Sequence, residues 1–180
     1  MDSTAVNSTA REQLRAAQAP LKSQYRGDPA AALVTLSAVG GLDGDGVVCS
    51  VQTGQALVQA GLHPATGGDG LAACSGDMLL QALVACAGVT LRAVATSLGV
   101  AFTDGLVRAE GDLDFRGTLG VDKEAPVGFS AIRLQFELTT DAPPEQLEKL
   151  FELTERYCVV YQTLRTQPPI EITQLTSPLG

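Results

Sequence analysis

Apolar positions recur every three or four residues across Asp77–Val94, so that Leu79, Leu83, Cys86, Thr90 and Val94 fall on one side of a helix. The spacing predicts a long helix ending near Gly99, with Cys86 facing packed protein. Arg92 is the only charge in its body, so the helix must be covered on several sides. A single sheet covers one side, and a partner subunit is expected to help bury the rest. A second helical pattern runs from about Pro144 to Leu164. Its inner stripe is Leu147, Leu150, Phe151, Thr154, Cys158 and Tyr161, while Glu145, Glu148, Lys149 and Glu152 face out. Asp141 suits an N-cap, with Pro143 and Pro144 acceptable in the first turn. Each stripe carries one cysteine, so packing these two faces together would let the thiols meet.

Period-two patterns supply the strands. Leu33–Val39 and Val47–Gln52 are rich in β-formers, and the glycine-rich turn between them predicts a hairpin. A short strand near Ala56 to Gln59 leads into the loop Gly61–Gly70. Beyond the first helix, Val107, Ala109, Gly111, Leu113 and Phe115 alternate with charged residues, as do Ile132, Leu134, Phe136 and Leu138 with polar ones. Both read as half-buried strands joined by a long connection over Gly117–Gly128. Ile170–Leu175 reads as a last strand. The order is three strands, helix, two strands, helix, strand, which indicates an α+β fold rather than a doubly wound sheet. Residues 1–24 are expected to form an arm or a docked helix, with a loose helix over Thr9–Ala19, and residues 25–180 one domain.

Charge narrows the partners. The 180 residues carry 12 Lys and Arg against 20 Asp and Glu, a net charge of −8 with the acids scattered, so nucleic acid is not an expected partner. The first twenty-five residues lack the apolar core of a signal peptide, and no run is read as reaching the roughly 20 apolar residues of a membrane span. The expectation is a cytoplasmic protein with no membrane partner. Four cysteines in such a chain are reduced, catalytic or buried rather than a disulfide framework. With no CxxC pair and His63 the single histidine, no zinc site is expected, nor any other metal or cofactor. Asp43, Asp45 and Asp69 lie in glycine-rich loops, but their spacing lacks the remaining ligands of a calcium loop.

The cysteines differ in setting. Cys49 lies mid-strand, where packing accounts for it. Cys74 precedes the first helix and is expected to be partly exposed. Cys86 stands about two and a half turns into its helix, beyond reach of the N-terminal dipole. An apolar setting would raise its pKa, so a reactive thiolate requires a cation or hydrogen-bond donors from elsewhere. Arg26, Arg156 and Arg92 are the candidates.

The run Cys74-Ser-Gly-Asp-Met-Leu-Leu-Gln-Ala-Leu-Val-Ala-Cys86-Ala-Gly-Val-Thr-Leu-Arg resembles the first-cysteine signature of the OsmC/Ohr family, and Thr154-Glu-Arg-Tyr-Cys158-Val-Val-Tyr-Gln-Thr-Leu164 resembles its second-cysteine helix. The resemblance covers roughly Ala56 to Leu175. It implies an intertwined homodimer with curved antiparallel sheets around two long central helices, and a thiol peroxidase site. By that resemblance Cys86 attacks an organic hydroperoxide and Cys158 resolves the sulfenic acid to a disulfide, in oxidative-stress defence. A dithiol reductant, such as a lipoylated protein, would restore the pair. Asp77 matches the carboxylate that orients the family's arginine, although an acid favoured by the helix dipole explains it equally. No arginine lies between Arg26 and Arg92, so Arg26 alone fits the family's position near the start of the domain. His63 is a partial substitute or an ordinary loop histidine, and Val159 stands where the family usually has proline. The alternative is a small-ligand-binding protein on the same fold, without peroxidase activity.

Overall fold

Ser75–Leu98 forms one uninterrupted helix because it holds no internal proline and its glycines, Gly76 and Gly88, stand singly. Gly99 ends it in the left-handed conformation, φ 76°, where a side chain would be strained. The computed structural model describes residues 3–28, 31, 33, 40–41, 48–53 and 56–176. In chain order these form α1 (Ser3–Gly27), β1 (Gly40–Gly41), β2 (Val48–Thr53), β3 (Ala56–Gly61), β4 (Ala73–Cys74), α2 (Ser75–Leu98), β5 (Asp104–Asp112), α3 (Phe115–Thr118), β6 (Ala131–Thr139), α4 (Pro144–Tyr157) and α5 (Val159–Thr166). A short 3₁₀ turn spans Pro64–Thr66.

Two sheets result, one of four strands in the order β1-β2-β3-β4 and one made of β5 and β6. β5 and β6 pair antiparallel in full register, Asp104 opposite Thr139 and Asp112 opposite Ala131. Their alternation turns Val107, Ala109, Ile132, Leu134 and Phe136 toward a core that includes Leu83, Ala87 and Cys158. A second core joins Leu91, Val94, Ala95, Val100 and Leu150, with the Phe136 and Phe151 rings packed against it, tilted to each other with centroids 5.5 Å apart. α2 is common to both cores. The outer face of β5–β6 is wet, and there Arg133 grips Asp112 through two hydrogen bonds, one of 2.8 Å.

Several sequence expectations change here. The deep stripe of α2 is Leu83, Ala87, Leu91, Val94 and Ala95, and Cys86 and Thr90 flank it half-buried. Leu79, expected on that stripe, is exposed. Leu113 and Phe115 lie beyond the strand, because Asp114 caps α3 by accepting from the Arg116 N–H at 3.0 Å. Pro143, not Asp141, is the N-cap of α4. Ile170–Leu175 forms no strand; these residues are exposed, and among the described residues no strand pairs with them. The N-terminal helix runs well past Thr9–Ala19 at both ends. The expected strand Leu33–Val39 falls outside the described residues except for Leu33, as do Asp43 and Asp45. Finally, α2 does reach the length and hydropathy of a membrane span, 1.8 over 18 residues. One stripe of it packs on both cores, while Leu79 and Val89 stay exposed in this chain.

Candidate active site

Cys158 sits at a break between two helices. Its backbone, φ −73° and ψ 107°, is extended, yet its N–H still reaches the Thr154 carbonyl at 2.9 Å and its own carbonyl accepts the Gln162 N–H at 2.9 Å. One residue therefore closes α4 and opens α5. The β-branched pair Val159-Val160, less at ease inside a helix than straight side chains, is the only local signal for the break. The sequence pattern alone predicts a single helix through Leu164. Breaking there frees the first N–H groups of α5, which have no partner within the helix.

Those donors converge on the thiols. The Cys86 sulfur lies against the buried cluster of Leu83, Ala87 and Cys158. Burial pushes the Cys86 thiol up, but this is outweighed by hydrogen bonds from the Val160 N–H, the Cys158 thiol, the Val159 N–H and the Thr90 hydroxyl, so its pKa falls below the ordinary thiol range. Cys158 moves the other way. Burial raises it most, and giving its proton to Cys86 raises it further, against the opposing pull of the Tyr161 N–H. Cys158 is 1% exposed, whereas Cys86 is partly open. The pair is thus divided into an accessible sulfur that favours the thiolate and a sealed one that keeps its proton.

The other predicted residues stand apart from this pair. Asp77 is exposed in the first turn of α2, two and a half turns from Cys86. Arg26 is exposed in the last turn of α1. Arg92 lies over the Phe102 ring at 5.0 Å and Arg156 over Tyr157 at 5.6 Å. Among the described residues no cation is hydrogen-bonded to the Cys86 sulfur; backbone donors of α5 occupy that role. These donors are the site groups that sequence reasoning missed. His63 has a structural part: its Nδ1 accepts the Ala65 N–H at 3.0 Å and its ring stacks on Phe115 at 5.0 Å. Asp69 accepts the Leu71 N–H at 2.9 Å as a turn residue. Cys74 is the N-cap position of α2 and half-buried, and the side chain of Cys49 is outside the described residues. Among the described residues no cluster of three or more His, Cys, Asp or Glu could hold a metal ion.

Two clefts are lined by neighbours of the thiols. One, of about 610 Å³, opens between β6 and α5, with Leu83, Leu134 and Leu164 inside and Glu155, Tyr161 and Arg165 at its polar rim. The other, of about 550 Å³, lies between α1, α2 and α4 and reaches Thr90 and Tyr157. Residues 67–173, more than half of the chain, match the family model for OsmC-like proteins. The chain belongs to the OsmC-like family. Solved structures agree on the fold of this OsmC-like protein. An OsmC-like protein from Mycoplasma pneumoniae superposes with a TM-score of 0.60 at 17% identity, covering 73% of this chain and 88% of that one. An organic hydroperoxide resistance protein OsmC from Legionella pneumophila gives 0.57 at 19%, covering 74% and 90%. One from Elizabethkingia anophelis, described as an organic hydroperoxide resistance protein, gives 0.57 at 16%, covering 74% and 89%. No curated protein matches the sequence.

Proposed function

We propose that this OsmC-like protein reduces organic hydroperoxides with Cys86 as the attacking thiolate and Cys158 as the resolving thiol. The observation that carries the reading is the opposite bias of two adjacent sulfurs, with Cys86 favoured as thiolate and Cys158 as thiol. A thiolate is the nucleophile, and a protonated neighbour is the right partner for the second step. The Cys86 sulfur attacks the terminal oxygen of the hydroperoxide and the O–O bond breaks. Cys86 becomes a sulfenic acid, and the departing alkoxide takes a proton to leave as the alcohol. The Cys158 sulfur then attacks the sulfenic sulfur, water departs, and a Cys86–Cys158 disulfide forms. A dithiol, such as a lipoylated protein, supplies the two electrons that reopen it.

The apolar side chains packed around the pair, Leu83, Leu134 and Leu164 among them, favour alkyl over inorganic peroxide, since only the former gains from leaving water. Two copies acting as a homodimer fit the same reading, because Val89 and Leu79 leave apolar surface of α2 uncovered by its own chain. Turnover with a small dithiol and cumene hydroperoxide is the test, run beside hydrogen peroxide. Faster use of cumene hydroperoxide is expected. Equal use of both would overturn the substrate assignment, and no use of either would favour the small-ligand-binding alternative.

A further inference from the structure

α1 lies wholly outside the segment that the family model matches, yet it lines a groove together with Thr90, whose hydroxyl donates to the Cys86 sulfur, and Tyr157, which precedes Cys158. Leu14, Gln18 and Lys22, spaced four apart on α1, face Val89, Thr90, Val94 and Leu98 of α2 across this groove, and Tyr157 closes it from α4. The Arg11 guanidinium stands beside Gly99, 3.8 Å from where a Cβ would be, at the far end of α2, while Lys22 and Thr90 line the same groove. Thr90 is one turn from Cys86, about 6 Å along the axis, and Tyr157 adjoins Cys158. Among the described residues Lys22 is the single charged one lining the groove, and no carboxylate opposes it there.

We propose that α1 is a working part of the thiol site, walling the approach to Cys86 and placing the Lys22 ammonium where it attracts anionic reactants and steadies negative charge forming at the sulfur. This deepens the peroxidase reading and rests on Cys86 being its reactive thiol. Lys22 meets the charge of the alkoxide released from a hydroperoxide, or of a reductant's thiolate. The helix N-terminus of α5 supplies partial positive charge on one side of the sulfur, and α1 supplies a full charge from the other.

The test uses the full reduced chain and two alkylating reagents of similar size, anionic iodoacetate and neutral iodoacetamide, with modification of Cys86 followed by peptide mass spectrometry. The ratio of the two rates reports the local potential and is indifferent to general loosening of the site, which alters both. At low ionic strength Lys22→Gln should lower the ratio about three- to five-fold and Lys22→Glu further, the size expected of one partly screened charge. Lys22→Arg should keep it, and salt should narrow the difference. An unchanged ratio in both Lys22→Gln and Lys22→Glu would overturn the proposal. A lowered ratio in a protein that consumes no hydroperoxide would uphold it while removing the peroxidase reading.

Discussion

The middle of α2 and the junction of α4 with α5 both present a cysteine on an apolar stripe, and they treat it in opposite ways. In α2 every backbone N–H near Cys86 is spent within the helix, so the helix offers the thiolate only the Thr90 hydroxyl. At the junction the helix stops for one residue and starts again, and the N–H groups freed there point at the sulfur of the other helix. Cys158, which makes the break, is buried and keeps its proton; Cys86, which does not, receives the donors. Reactivity in this pair therefore comes from the junction and is expressed on α2.

The largest effect that would break this contrast is Cys86→Ser, which should reduce hydroperoxide turnover to the background rate, measured with cumene hydroperoxide and a dithiol. Cys158→Ala should leave a single turnover and then accumulate sulfenic or over-oxidised Cys86, seen by intact mass. If Cys158→Ala turns over at full rate, the division of labour is wrong. Leu150→Ala tests whether the junction needs the core beneath α4: Leu150 is fully buried, and its truncation should cost about 2–5 kcal/mol in denaturant unfolding. The pH dependence sharpens the contrast further. Because the Cys86 pKa is lowered, its alkylation should rise with pH at a midpoint below the free thiol value of about 8.5, while that of Cys158 should lie above it. The smallest effects belong to single donors. Thr90→Val removes the hydroxyl and Val159→Pro removes one N–H at a helix position that tolerates proline, and each should move the Cys86 midpoint upward. An unmoved midpoint in both would mean that these donors do not govern the thiol.

Much of this arrangement was legible in the pattern of residues. The alternations around Val107 and Ile132 predicted β5 and β6, and the spacing of Leu150, Thr154 and Cys158 predicted the buried face of α4, because period and burial are coupled directly. The OsmC-like family was likewise legible, from the two cysteine segments. The break at Cys158 was not. Val159-Val160 weakens a helix only slightly, and the extended backbone at Cys158 is settled by tertiary packing around the thiols, which no local propensity encodes. For the same reason the sequence directed attention to arginines as activators, whereas the donors on Cys86 are backbone groups that exist only once α5 restarts. Ile170–Leu175 has the alternation of a strand, but pairing requires a second strand, and among the described residues none pairs with it.

The most direct measurement is a free-thiol count with disulfide mapping on the reduced full chain before and after one equivalent of cumene hydroperoxide. Rapid loss of two thiols, mapped to a bond between Cys86 and Cys158, is the predicted result. Retention of all four thiols, or a disulfide involving Cys74 or Cys49 instead, would contradict the assignment of the pair.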